Sequence, residues 1–592
     1  MKNVLIATLI FFASHCFGQN EQLAQNYFDR GDFEKALINF EELVKSQPNN
    51  FVFFQRQVDC YQQLSLFEKA EKAIQTRLST FNQPGLLVEL GYNYQLQKNA
   101  LKANSYYQQA IESIKKNPSS VYGIGAVFER KVLLELALQA YQTATTAQPD
   151  MNFNFQMGLL YGQLGNTDMM IDKLLIEALV NPQNSIMVQN QLSRFILDDT
   201  TENFSNALKK ALLLRAQKSQ DIFWNQYLSW FFVQQKEYAK AFVQERAIYK
   251  RNPETFNNIV NLSQLAADEN DTETAKEILQ FVLENTTDVD LKIQSHTSLL
   301  QIAIKKTADK DVPLIKTQIE LLLKEFGMGT NTLSLQILQA HFLTFKMKNA
   351  AAGQSILRRC LTLPINKYQE ADVKMELADV FLFEEKFNQA QIYYTQIQED
   401  LAQDEIGNEA SLKAAKTSYF KGDFDWALQQ FKALKSATSQ LIANDALELF
   451  LLINDNKVAD STYVGLKKFA RGDYLLYQNR TPDAMVQFQA ILKENKDNEI
   501  TPAALLRLGK TAEKTGDFVA AIGFYENIIN NYKECIYIDE ALFFAAEIYL
   551  KNLMLPEKAK LFYEKIIFSH QDSIFFVDAR QKFRQIRGDK EI

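Results

Sequence analysis

A spacing of 33 or 34 residues dominates this chain and constrains it more than any composition does. Tyr27 is followed nine residues later by Ala36, Tyr61 by Ala70, Tyr94 by Ala103 and Phe128 by Ala137; Tyr161 with Met170 and Phe232 with Ala241 continue the series. Four residues after the small position, in the first five of these, stands a bulky one: Phe40, Ile74, Tyr107, Tyr141, Leu174. Pro48, Pro149, Pro182 and Pro253 each fall twelve residues after it. Such a period predicts a helix-turn-helix unit. Two short helices cannot bury both of their apolar stripes alone, whereas stacked copies share one continuous core. The Ala lets the second helix approach the first, the bulky residue fills the space beside it, and the Pro stops the second helix.

Between the two helices the chain must reverse. Gly-Asp-aromatic triplets at Gly31-Asp32-Phe33, Gly422-Asp423-Phe424, Gly472-Asp473-Tyr474 and Gly516-Asp517-Phe518 are expected at these turns, the Asp capping the next helix. Two of them complete an Arg-Gly-Asp tripeptide, at Arg30 and Arg471. A third, Arg587-Gly588-Asp589, sits where a last helix would end, with Gly588 as its C-terminal cap. The tripeptides are therefore read as turns and a cap, not as an adhesion motif.

Composition agrees with helix almost throughout. The 592 residues hold only 20 Gly and 11 Pro, against 43 Phe and 24 Tyr for helix-on-helix packing. The net charge of −7 is spread along the chain, without the basic stripe of a nucleic-acid binder. Residues 1–18 read as a signal peptide: Lys2, an apolar run from Val4 to Phe12, then small residues with cleavage expected after Gly18. Cys16 offers lipidation as an alternative way of processing this segment. The later cysteines, Cys60, Cys360 and Cys535, have no metal or disulfide spacing and are read as small buried hydrophobes.

The pattern resembles the tetratricopeptide repeat family. The residues that carry the resemblance are Leu90-Gly91, Tyr94, Ala103, Tyr107 and Ala110; Met157-Gly158, Tyr161, Leu174 and Pro182; and Leu508-Gly509, Ala512, Ala521 and Tyr525. The resemblance implies an all-α, right-handed superhelical solenoid. Residues 19–285 form a first array of 33–34-residue repeats. Residues 286–365 are degenerate, read either as a hinge or change of superhelical curvature or as divergent but ordinary repeats. Residues 366–592 form a second array, whose small residues at Ala390, Ala427, Ala484, Ala521 and Ala559 step by 37 or 38 where repeats adjoin. This longer form is similar to the repeats of exported Gram-negative envelope proteins, although Lys533, Cys535 and Gln571 stand where those carry a Tyr-Pro-x-Ser turn.

No phosphate loop, nucleophile elbow or metal-binding His pair is present, so a non-catalytic chain without metal or cofactor is expected. The acidic clusters Asp268–Asp271 and Glu384-Glu385 fall at expected turns. Repeats of this family expose the first helix of each pair on a groove that takes peptides or helices. The groove-facing positions so implied include Asp59 and Tyr92, and Phe223, Gln226 and Trp230 in an aromatic run. The resulting expectation is an exported scaffold with protein partners, in the periplasm or on the periplasmic face of the outer membrane. Membrane association would come through a partner or through a lipidated Cys16. A stand-alone periplasmic peptide- or glycan-binding protein is the alternative.

Overall fold

The computed structural model describes residues 20–588, apart from 82, 200–202, 307–308, 436–438, 460–462 and 495–498. The signal segment, Cys16 and Asp589 lie outside them. The described residues form helices and turns without a strand, in two compact units, Met1–Leu228 and Ser229–Ile592.

Within each unit consecutive helices pair as hairpins. Gly85–Leu96 packs on Ala100–Lys116, Val121–Arg130 on Leu134–Ala147, Lys367–Phe383 on Phe387–Asp400, and Ile500–Lys514 on Phe518–Asn531. The small positions read from the sequence are the points of closest approach: Ala36, Ala70, Ala137, Ala241, Ala390, Ala427, Ala484, Ala521 and Ala559 have no exposed surface. Tyr394, Tyr525 and Tyr563 are fully buried beside them; burying a large side chain contributes on the order of 1.5–3 kcal/mol. Residues 286–365 are helical as well, as Val289–Lys306, Val312–Phe326, Leu333–Phe345 and Ala350–Cys360.

Most of the hairpin turns share one construction. An N–H just after the turn bonds to a carbonyl five residues back: Asp32 to Tyr27 (2.9 Å), Leu66 to Tyr61 (2.8 Å), Leu133 to Phe128 (2.9 Å) and Asp517 to Ala512 (2.9 Å). That is a Schellman closure, which forces the residue before the donor into the left-handed region. Gly31, Gly422 and Gly516 take this place as expected (φ 76, 85 and 81). Elsewhere Ser65, Lys98, Val132, Lys236 and Glu385 are forced into it instead. The expected Asp cap forms at Asp517, which accepts from the Ala520 N–H at 3.1 Å; Asp32 and Asp423 make no side-chain cap.

Gly472-Asp473-Tyr474 is not a turn. It lies inside the helix Val464–Tyr477, and the turn after it is made at Asn479 (φ 58). Gly472 serves another need of the repeat, close contact between paired helices. A Cβ there would stand 2.6 Å from the Phe488 ring. Gly91 faces Tyr107, Gly125 faces Tyr141, Gly158 faces Leu174 and Gly509 faces Tyr525 in the same manner. Each partner is sixteen residues on, so glycine-to-bulky spacing, not the Gly-Asp pair, assigns residue 472. The third tripeptide ends as expected: Gly588 (φ 73) caps the helix Phe576–Arg587.

Ala427 and Ala484 are separated by more than one repeat because an additional helix, Gln440–Ala459, stands between their hairpins. The following helix, Val464–Tyr477, then reaches past its neighbour. The Tyr474 hydroxyl donates to the Leu382 carbonyl (2.7 Å), that of Tyr477 to the Asp379 carbonyl (2.9 Å), and the Gln478 amide to the Phe383 carbonyl (2.7 Å). These contacts span more than ninety residues, whereas a simple solenoid repeat touches only its neighbours.

Candidate functional site

That long reach encloses a cavity of about 740 Å3 in the second unit. Its walls come from first helices of successive hairpins and from the additional helix. They include His341 and Phe345; Asp379; Lys413, Lys416, Tyr419 and Phe420; Asp445 and Glu448; Asp473 and Tyr477; and Arg507. Charges on these helices pair across adjacent ones. Lys413 holds Asp379 at 2.8 Å, Lys416 holds Asp445 at 2.8 Å, and Arg507 bridges Asp473 and Glu448 at 3.0 Å each. The Tyr394 hydroxyl donates to Asp379 (2.5 Å) and that of Tyr419 to Asp473 (3.0 Å).

These groups are well desolvated. Burial pushes the Asp473 carboxyl up against the pull of Arg507, and it raises the phenols of Tyr394, Tyr419 and Tyr477 well above their ordinary value. Burial by itself would lower His341. Its hydrogen bond to Glu376 (3.0 Å), that carboxylate's charge and the charge of Asp379 outweigh burial and raise it. Lys305 and Lys346 also line the cavity and have no ion pair among the described residues. The surface thus combines oriented, neutralised pairs with the rings of Phe345, Phe420 and Tyr477 and the ammonium groups of Lys305 and Lys346. It is suited to holding a chain that carries hydrogen-bonding groups and negative charge.

The sequence did hold a signal for this site. Asp379 and Lys413, like Asp473 and Arg507, stand 34 residues apart; His341 and Glu376 stand 35 apart. Complementary groups one repeat apart on first helices face one another in the stack.

Of the residues expected from the family's groove, the structure brings two together. Asp59 and Tyr92 meet at Lys131, whose ammonium lies 2.6 Å from Asp59 and 4.6 Å from the Tyr92 ring centroid. Glu89, nearly inaccessible, lies 3.3 Å from the same ammonium and pairs with Arg130. The aromatic run folds as the helix Ile222–Gln234. Phe223 is half-buried against Trp224 and Tyr227 (4.8 and 4.7 Å between centroids), Gln226 is exposed, and Trp230 is half-buried. Phe223 and Gln226 belong to the first unit and Trp230 to the second.

Cys60 and Cys360 are buried thiols as expected, and Cys535 is half-buried. Glu384, Glu385 and Asp271 lie at hairpin turns, Asp271 accepting from the Thr274 N–H at 3.3 Å. Among the described residues no cluster of three or more His, Cys, Asp or Glu could hold a metal ion. None of their helices is long and apolar enough to cross a membrane.

Fold and site together define a helical-hairpin repeat protein whose repeats line a cavity. Two family models, each described as tetratricopeptide repeat, match residues 20–50 and 469–532. The chain carries tetratricopeptide repeats. No curated protein matches it. A solved structure of Naa15/Naa10 bound to HypK-THB is similar at 12% identity, over 97% of this chain and 96% of that one, with a TM-score of 0.29. The APC/C hetero-tetramer Cut9-Hcn1 is similar at 12% identity, over 96% of each chain, with a TM-score of 0.25. The tetratricopeptide repeats support an interaction scaffold, and proteins built from them are generally non-catalytic.

Proposed function

We propose that this chain is a scaffold of the bacterial cell envelope, exported by its first eighteen residues, that holds a segment of a partner protein in the cavity of its second unit. One observation supports this most: the cavity is walled by first helices, its inner charges are already paired, and Lys305 and Lys346 line it with no ion pair among the described residues. Asp59, Tyr92, Phe223, Gln226 and Trp230 are further candidate contacts on first helices. Aromatic anchors of this kind dominate the energetics of many interfaces.

The test is affinity purification from gently solubilised envelope, comparing wild type, Lys305→Glu/Lys346→Glu and Trp230→Ala by quantitative mass spectrometry. One membrane complex recovered with wild type, and depleted about tenfold or more by the double charge reversal, is the expected result. Depletion by Trp230→Ala alone would move the contact to the aromatic helix. Recovery of a soluble, solitary protein would replace the scaffold reading with that of a stand-alone periplasmic peptide- or glycan-binding protein.

A further inference from the structure

A second cleft, of about 1100 Å3, opens on different helices of the same unit. It runs between Phe387–Asp400 and Phe424–Leu434, the second helices of neighbouring hairpins, and is therefore separate from the cavity on the first helices. Its lining is unusual in kind. Asn388, Gln391 and Gln396 face it from one helix; Trp426, Gln429 and Gln430 face it from the other. Asn388 with Gln391, and Trp426 with Gln429 and Gln430, stand three or four residues apart and so point to the same side of their helix.

Two of the amides are oriented by the protein. The Gln391 amide donates to the Ser418 hydroxyl at 2.8 Å, and that hydroxyl donates to the Gln430 carbonyl oxygen at 2.9 Å. Ser418 is buried, so this relay ties both helices to the one between them. It leaves the Gln391 carbonyl oxygen as an acceptor and the Gln430 amino group as a donor. Similarly, Lys421 donates to the Asn388 carbonyl oxygen at 3.2 Å and leaves that side chain's amino group to donate. Trp426, one of three tryptophans in the chain, is 54% exposed beside these amides. Glu399 and Asp423 are the carboxylates of the cleft, and no cation lines it among the described residues.

We propose that this cleft binds a neutral oligosaccharide. A hydroxyl both donates and accepts, so fixed amide donors and acceptors side by side match a polyhydroxylated ring better than any charged ligand. The indole face, with its negative quadrupole, suits the C–H face of a pyranose. Ile392, Leu434 and two alanines supply the aliphatic surface beside the indole. A site that hydrogen-bonds hydroxyls also rejects analogues that lack them, because its amides would then lose their water without gaining partners.

The test is titration of the full processed chain with the linear trisaccharides of glucose, mannose and N-acetylglucosamine, and with an uncharged Ser/Ala/Thr peptide. Binding is followed by calorimetry and by indole emission. Saturable binding of at least one trisaccharide is expected, weakened about tenfold or more in Trp426→Ala and several-fold in Gln429→Ala. Both side chains are exposed, so the melting temperature should stay within a few degrees. Lys305→Glu/Lys346→Glu should bind the sugar unchanged, which separates this site from the partner cavity. Absence of saturation with all three sugars overturns the proposal, as does binding that persists in both cleft variants. Binding of the peptide that no sugar displaces also overturns it and makes the cleft a peptide groove.

Discussion

Single glycines and histidines in this chain obey local demands that can be tested one at a time. Gly472→Ala places a methyl 2.6 Å from the Phe488 ring. It should destabilise by about 1–3 kcal/mol in urea unfolding, despite the better helix propensity of Ala. Gly523 lies in the helix Phe518–Asn531 with nothing within 4 Å of an added Cβ; there the same change should stabilise by about 0.5–1 kcal/mol. Val132 is 73% exposed, β-branched and left-handed (φ 57). Val132→Gly should therefore raise stability, by about 1 kcal/mol. His341 supplies a pH dependence. Its folded pKa is raised above the unfolded value near 6.5 by Glu376. Its contribution is then fully present below the unfolded value and is lost as pH rises through the folded one. The melting-temperature gap between wild type and His341→Gln should be widest at acid pH and shrink through the neutral range; a gap independent of pH would remove the ion pair from the account.

Whole helices are held by pairs of residues one repeat apart. Removing Arg507 leaves Asp473 desolvated beside Tyr419 with no positive partner. Arg507→Met is expected to cost about 3–5 kcal/mol, and much of that should be recovered in Asp473→Leu/Arg507→Met, as for other buried pairs. A double-mutant cycle in urea measures it, and additive losses would show that the two do not act together. The hairpins themselves were legible in the residues, because the aromatic, the small residue and the bulky residue recur at fixed distances. The place of Gly472 was not, because glycine serves two opposite needs in this fold: a left-handed turn and a tight helix crossing. Only the Phe488 ring sixteen residues on tells them apart. Most turns escaped a Gly-Asp search for the related reason that backbone closure, not the side chain, imposes the left-handed residue.

Export and processing belong to the entire chain. If the first eighteen residues direct export with cleavage after Gly18, the intact mass of the protein recovered from its native envelope should correspond to a chain starting at Gln19. A mass corresponding to a chain that starts at an acylated Cys16 would instead make it a membrane-tethered lipoprotein. The cavity at Asp379, Lys413, Asp473 and Arg507 also depends on distant parts of the chain. Its closure rests on Tyr474, Tyr477 and Gln478 reaching main-chain carbonyls more than ninety residues away.

Periodicity was enough to establish helices, their pairing and the alanines at their crossings, because those are contacts within one repeat or between neighbours. Tertiary structure alone decided that an added helix carries Val464–Tyr477 past its neighbour, and so which paired charges surround a cavity. It alone also turned amides and an indole on two separate helices into one cleft. Contacts that skip a repeat have no fixed spacing, so they leave no period for the sequence to display.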